Sequence, residues 1–253
     1  MPRVPREKSK SGIYHIIMRG INRQIIFNDD EDRHKFIYTL KKYKDICGYY
    51  IYAYCLMGNH VHLLLREGTE SLGIVMRRIC SKYVLWYNKK HDRVGYLFQD
   101  RFKSEPVEDS GYYLTVLRYI FQNPIKAGIV TRIEDYPWTN YSHYLEGNNW
   151  TDTDFALDIF DKDRTSAIRK FIDFVNRGNN DECLDLKEIR RLKDSEAIKL
   201  IKDVFKVEQL QDLQSLEKNQ RNIYLKELKQ KHGLSVRQIE KLTGINRGII
   251  QRL

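Results

Sequence analysis

Four side chains in two short stretches have the types and spacing to do chemistry together. In HVHLLLR, His60 and His62 are two apart. Side chains alternate across a strand, so the two imidazoles share a face while Val61 points to the other, and two imidazoles placed this way can hold one divalent cation. A bare HxH also occurs as two histidines that hydrogen-bond within a sheet or face solvent. In LTVLRYIFQNP, Tyr119 and Asn123 are four apart and share a helical face, where a phenol offers a nucleophile and a carboxamide a third, oxygen ligand. The same spacing fits a core aromatic, one of 17 tyrosines, on a helix that ends at Asn123 before Pro124. A free phenol with a pKa near ~10 is almost wholly protonated at neutral pH, so a tyrosine nucleophile calls for a cation. Tyr112 and Tyr113 are weaker candidates, because Val116 and Leu117 stand four residues on. His15 is assigned to packing or hydrogen bonding and not to the metal.

These residues need elements to position them. IYHIIMR (13–19) has the length of a strand, and Asn28-Asp29-Asp30 then caps a helix with Phe36, Ile37, Leu40, Tyr43 and Ile46 on one face before Gly48. YIYAYCLM (50–57) and HVHLLLR (60–66) flank Gly58-Asn59, a two-residue connection suited to a hairpin. A second helix is expected over about 70–90, extended structure over GYLFQDRFKSEPV, and a third helix from the Asp109-Ser110 cap to about Gln122, stopped by Pro124. This order predicts an α+β fold: a ferredoxin-like antiparallel sheet over 1–150 with helices on one face. An α-helical connector is expected over 151–215. Over 216–253 a long helix, a second capped by Ser235, and NRGIIQRL beyond the Thr243-Gly244-Ile245 turn match a helix-turn-helix.

The 253 residues have room for a sizeable core and a smaller module. Lys and Arg outnumber Asp and Glu 23 to 16 over 1–150 and 9 to 3 over 216–253, whereas 151–215 has 12 against 15. Two basic units around a mildly acidic stretch favour a polyanionic partner, nucleic acid before a small substrate. No run of 18 apolar residues appears and MPRVPREKSKSG lacks the apolar stretch of a signal peptide, so a cytoplasmic protein without membrane contact is expected. Cys47, Cys55, Cys80 and Cys183 form no CxxC pair and are read as structural thiols.

MGNHVHLLL, then QDRFKS, then YLTVLRYIFQNPIKAGIV and DYPWTNYSHYL together resemble the single-tyrosine HUH transposases, specifically the REP-associated tyrosine transposases. The similarity runs from YHIIMRGINRQIIF to about Tyr144, with a looser match through FALDIFDKDRTSAIRKFIDFV. The resemblance implies an endonuclease and strand transferase for single-stranded or hairpin DNA. In that reading His60, His62 and Asn123 bind Mg²⁺ or Mn²⁺, and Tyr119 attacks the scissile phosphate to leave a 5′-phosphotyrosine and a free 3′-hydroxyl. The ester conserves the energy of the broken bond, so rejoining needs no ATP, in keeping with the lack of a GxxxxGK[ST] loop. Relatives include both dimers that exchange their tyrosine-bearing helices and forms that act alone, so a homodimer is one expected assembly.

Arg19, Arg23, Arg101 and Lys103 lie in the resembling segments and are expected to contact DNA, with a solvated basic face as the competing reading. Phe98, Phe102, Trp138 and Tyr141 are candidates for stacking on unpaired bases or for the core. On the second helix of the tail, Asn246, Arg247, Gln251 and Arg252 carry groups that read base edges in duplex DNA. The alternative to the enzyme is a non-catalytic nucleic-acid-binding regulator, which would tolerate loss of any of His60, His62, Tyr119 and Asn123.

Overall fold

The computed structural model describes residues 6–147, 150–185, 192, 194–207, 209–210, 213 and 216–253. The chain divides into two compact units, Met1–Leu186 and Lys187–Leu253. The stretch 151–215, expected as a connector, is therefore shared between them.

The first unit is built on a four-stranded antiparallel sheet of order β2-β3-β1-β4, from β1 (Ile13–Arg19), β2 (Tyr50–Met57), β3 (His60–Arg66) and β4 (Lys103–Pro106). Gly58 and Asn59 turn β2 into β3, and the register sets Arg19 against His60, Ile17 against His62 and His15 against Leu64. Of the extended structure expected over GYLFQDRFKSEPV, only β4 forms a strand; the part before it touches the sheet through an isolated Gly20–Phe98 bridge. The local β-α-β-β order follows from sharp stops: α1 (Asp30–Cys47) opens on an Asp29–Asp32 capping box and closes at Gly48, whose φ of 67° suits a residue without a side chain.

Helices cover both faces of the sheet, not one. Alternation along β1 and β3 sends Tyr14, Ile16, Met18, Val61, Leu63 and Leu65 to a core with α1 and α2 (Leu72–Lys90). Ile13 and Leu64 face the other way, into a core completed by α3 (Ser110–Lys126), α4 (Tyr141–Glu146), α5 (Asp154–Phe160) and α6 (Arg164–Asn176). The apolar residues 155–175, read in sequence as part of a connector, are what α3 needs to bury its outer side: Phe171 lies fully buried against Phe121 and Tyr144.

Pro124 does not end α3. The helix continues to Lys126 because proline removes only its own N–H bond to Ile120, and Ala127 N–H still donates to the Asn123 carbonyl at 2.9 Å. Asn123 thus stays helical, one turn beyond Tyr119.

In the second unit, α7 (Asp194–Phe205), α8 (Lys218–Gln230), α9 (Val236–Thr243) and α10 (Arg247–Arg252) pack around Ile201, Phe205, Leu225, Leu228, Ile239 and Ile250. Ser235 Oγ accepts from Gln238 N–H at 3.2 Å to start α9, and Gly244 at φ 70° ends it. Among the described residues no helix is long and apolar enough to cross a membrane.

Candidate active site

β3 turns the rings of His60 and His62 toward the face that α3 covers, their centroids 5.0 Å apart. Tyr119 comes down onto them from α3, 5.6 Å from His62 and 5.8 Å from His15, edge-on to both. Asn123 lies close enough to both His60 and Tyr119 to shift their pKa values. The two stretches of sequence therefore meet at one place, with nearly sixty residues between them.

Burial dominates the electrostatics. His62 is wholly buried, which lowers its pKa well below the ordinary histidine range, and neighbouring His15 and His60 depress it further. His60 is lowered by burial, opposed by the neighbouring Asn123 carboxamide and by the Asp185 charge. At neutral pH both imidazoles are neutral and carry a lone pair for a cation. The Tyr119 phenol is pushed up, first by burial and then by the negative charge of the nearby Asp185 carboxylate. Alone, this phenol is a poorer nucleophile than a free tyrosine. Lys126 Nζ lies 4.9 Å from the centre of the Tyr119 ring and brings a positive charge to the same end of α3.

Three further neighbours were not assigned to the site from residue types and spacing. His15, buried on β1, places Nε2 3.2 Å from Nδ1 of His62. Asn59, in the hairpin turn, places Oδ1 2.7 Å from Nδ1 of His60; an amide oxygen only accepts, so Nδ1 carries the proton and Nε2 is left bare. Asp185 arrives on a strap that follows α6. The strap is tied down where Arg118 donates to both Asp181 oxygens at 2.7 and 2.8 Å, where Asn179 Nδ2 donates to Gln122, and where Leu184 N–H donates to Glu105 at 3.0 Å. Glu105 also accepts from Tyr112, which places that tyrosine in the scaffold beside the site. Asn59 stood next to the HxH motif and was readable there; nothing local marks Asp181 or Asp185.

Among the described residues no group of three or more His, Cys, Asp or Glu is arranged to hold a metal ion. The donors gathered here are two imidazoles and a carboxamide. His62 Nε2 is buried with no hydrogen-bond partner among the described residues, an atom a cation would satisfy. On that ground the residues fit a divalent ion.

The expected DNA contacts are spread more widely. Arg19 ends β1 opposite His60, half-buried, with Nε donating to Gln99 at 3.3 Å. Arg23 is exposed and follows Asn22 in the left-handed region, with φ of 62° and 50°, a cost of roughly 1–2 kcal/mol per residue. Asn59 Nδ2 holds the Arg23 carbonyl at 3.4 Å, so this loop sits beside the turn that carries His60. Lys103 pairs with Ile17 on β4 and is exposed, and Arg101 is exposed in the loop before it. Tyr141 is buried in the core, which removes it from the stacking candidates, and Trp138 is half-buried against His34 and Arg33. Phe98 and Phe102 are partly buried against the α1–α2 core. In the second unit Arg247, Gln251 and Arg252 are exposed on α10, whereas Asn246 precedes the helix and uses Oδ1 to cap it, accepting from Gly248 N–H at 2.8 Å.

Comparison with known proteins gives matches of three kinds. Residues 8–123 match the family model described as Transposase IS200 like. A Haemophilus influenzae protein described as a REP-associated tyrosine transposase is 25% identical over 113 residues, covering 39% of this chain. The chain spans 64% of the length of that relative. A solved structure of a REP-associated tyrosine transposase bound to a REP hairpin superposes with a TM-score of 0.50 and 20% identity, covering 60% of this chain and 94% of the other, a likeness of fold.

Proposed function

We propose, from the IS200-like transposase domain carried by residues 8–123, that this protein nicks and rejoins single-stranded or hairpin DNA through a phosphotyrosine. The observation that carries the reading is the meeting of Tyr119 with His60, His62 and Asn123 at one buried face. Its sheet is read as ferredoxin-like, and its place of action as the cytoplasm.

Tyr119 Oη loses its proton and attacks phosphorus; the bond to the 3′ oxygen breaks and that oxygen takes up a proton from solvent, leaving a 3′-hydroxyl and a 5′-phosphotyrosine, and the reverse step rejoins a strand. The Asp185 carboxylate, whose charge acts on the phenol, is the nearby base that can take its proton. His60, His62 and Asn123 would hold Mg²⁺ or Mn²⁺, which when bound supplies neutralisation of the charge that builds on the phosphoryl oxygens. Lys126, Arg19 and Arg23 hold the strand by its phosphates, joined by Lys103 and Arg101 along the β4 edge. The α9–Gly244–α10 segment is read as a helix-turn-helix that binds the duplex part of a hairpin through Arg247, Gln251 and Arg252. A homodimer is compatible with this mechanism and is not required by it, since tyrosine and histidines meet within one chain.

Purified protein with Mn²⁺ and a single-stranded oligonucleotide should give a denaturation-resistant adduct. Tyr119→Phe and chelation should each abolish it, and an adduct that persists in Tyr119→Phe would show that another residue is the nucleophile. For the tail, Arg247→Ala with Arg252→Ala should weaken hairpin binding and lower the slope of log affinity against log salt by about 1 per lost phosphate contact. An unchanged slope would remove α10 from the interface.

A further inference from the structure

The proton between His15 and His62 decides whether His62 is a ligand. Their contact, Nε2 to Nδ1 at 3.2 Å, holds one hydrogen, and both rings are completely buried and stacked 5.5 Å apart. The two remaining nitrogens, Nδ1 of His15 and Nε2 of His62, are buried without a hydrogen-bond partner among the described residues. If His15 donates, Nε2 of His62 carries a proton and has no lone pair to offer. If His62 donates, its Nε2 is bare and keeps its lone pair, and a cation bound there removes one of the two orphans. His60 has the matching arrangement, with Nδ1 donating to Asn59 Oδ1 at 2.7 Å.

We infer that His15 is a positioning residue that accepts the His62 Nδ1 proton and so holds His62 in the tautomer able to bind the cation. The inference rests on the cation reading above. Ligand histidines characteristically donate their second N–H to a fixed acceptor, and loss of that acceptor costs 10–100-fold in metal affinity. Here the acceptor is another imidazole, on the neighbouring strand, edge-on to the Tyr119 ring at 5.8 Å. The same ring thus orients the ligand and supports the nucleophile's side chain.

Long-range ¹H–¹⁵N correlation on the metal-free wild-type protein reads the tautomer directly and is expected to show His62 protonated at Nδ1. A His62 protonated at Nε2 would overturn the inference without any variant. Calorimetric titration with Mn²⁺ alone should show a 10–100-fold loss of affinity in His15→Phe, which keeps the ring but not the acceptor. His15→Gln, whose Oε1 can occupy the place of Nε2, should retain affinity within a few-fold. His15→Phe binding Mn²⁺ like wild type, or a folded His15→Gln as weak as His15→Phe, would reduce His15 to packing. If His62→Ala binds Mn²⁺ undiminished while wild-type His62 is protonated at Nδ1, it is the cation reading that fails, and the tautomer result stands apart from it.

Discussion

On one face of the sheet, Tyr14, Ile16, Met18, Val61, Leu63 and Leu65 meet α1 and α2 in a core of almost purely apolar contacts. On the other, alternation turns His15, Ile17, His60 and His62 the opposite way, and His15 and His62 meet Tyr119 of α3. The backbone is the same and the register is shared, yet only one face buries imidazoles whose nitrogens lack partners. The apolar face gains free energy from every methylene it removes from water, about 25 cal/mol per Å². The polar face gives part of that up, because a buried polar group without a partner costs roughly 1–3 kcal/mol. The strands therefore divide their work: the α1–α2 side holds the sheet rigid, and that rigidity lets the α3 side keep a costly cluster in place.

Three measurements would break or sharpen this division. Phe36 is fully buried on the apolar side between Phe27 and Tyr83, so Phe36→Ala should cost about 3–5 kcal/mol in chemical denaturation. The adduct formed per folded molecule should be unchanged; its loss in a folded variant would mean that the two faces are not separable.

Acid should act through the polar side. Burial lowers the pKa of His15 from 6.5 to about 3, so above pH 6.5 folded and unfolded chains carry the same charge there. As pH falls from 6.5 toward 3, the unfolded chain takes up a proton that the folded one refuses, and stability is lost at about 1.4 kcal/mol per pH unit for this group. Denaturation midpoints between pH 7 and 5 should therefore fall, with a shallower slope in His15→Phe. Equal slopes would mean that His15 is not held neutral.

The smallest effect is expected from Tyr119→Phe, which should change stability by less than about 1 kcal/mol while removing the adduct. Its ring packing is preserved, and a single hydroxyl contributes only about 1 kcal/mol net. A large destabilisation would make Tyr119 a core residue first and a nucleophile second.

Much of this site could be read before the fold was known. The HxH alternation placed His60 and His62 on one face, and the four-residue spacing placed Tyr119 with Asn123, because both follow from local backbone periodicity. Helix limits at Gly48 and Asp109 and the tail helices from Ser235 onward were legible for the same reason, since caps and left-handed glycines are local chemistry. Pro124 misled because the cost of a proline depends on which carbonyl it leaves unpaired and how near the helix end it falls. Residues 151–176 misled because their amphipathic pattern states that an apolar face will be buried and not against what.

The chain's local order thus determined the strands, the helices and which pairs of side chains would travel together. What only the tertiary structure decided is which pairs meet: that β3 presents its histidines to α3 and not to α1, that His15 falls within hydrogen-bonding distance of His62, and that a strap anchored on Arg118 carries Asp185 to Tyr119. The physical reason is range. Backbone geometry couples residues within a few positions, while contacts across 47 or 63 positions arise only when cores close and every buried polar atom has to take what partner the packing offers.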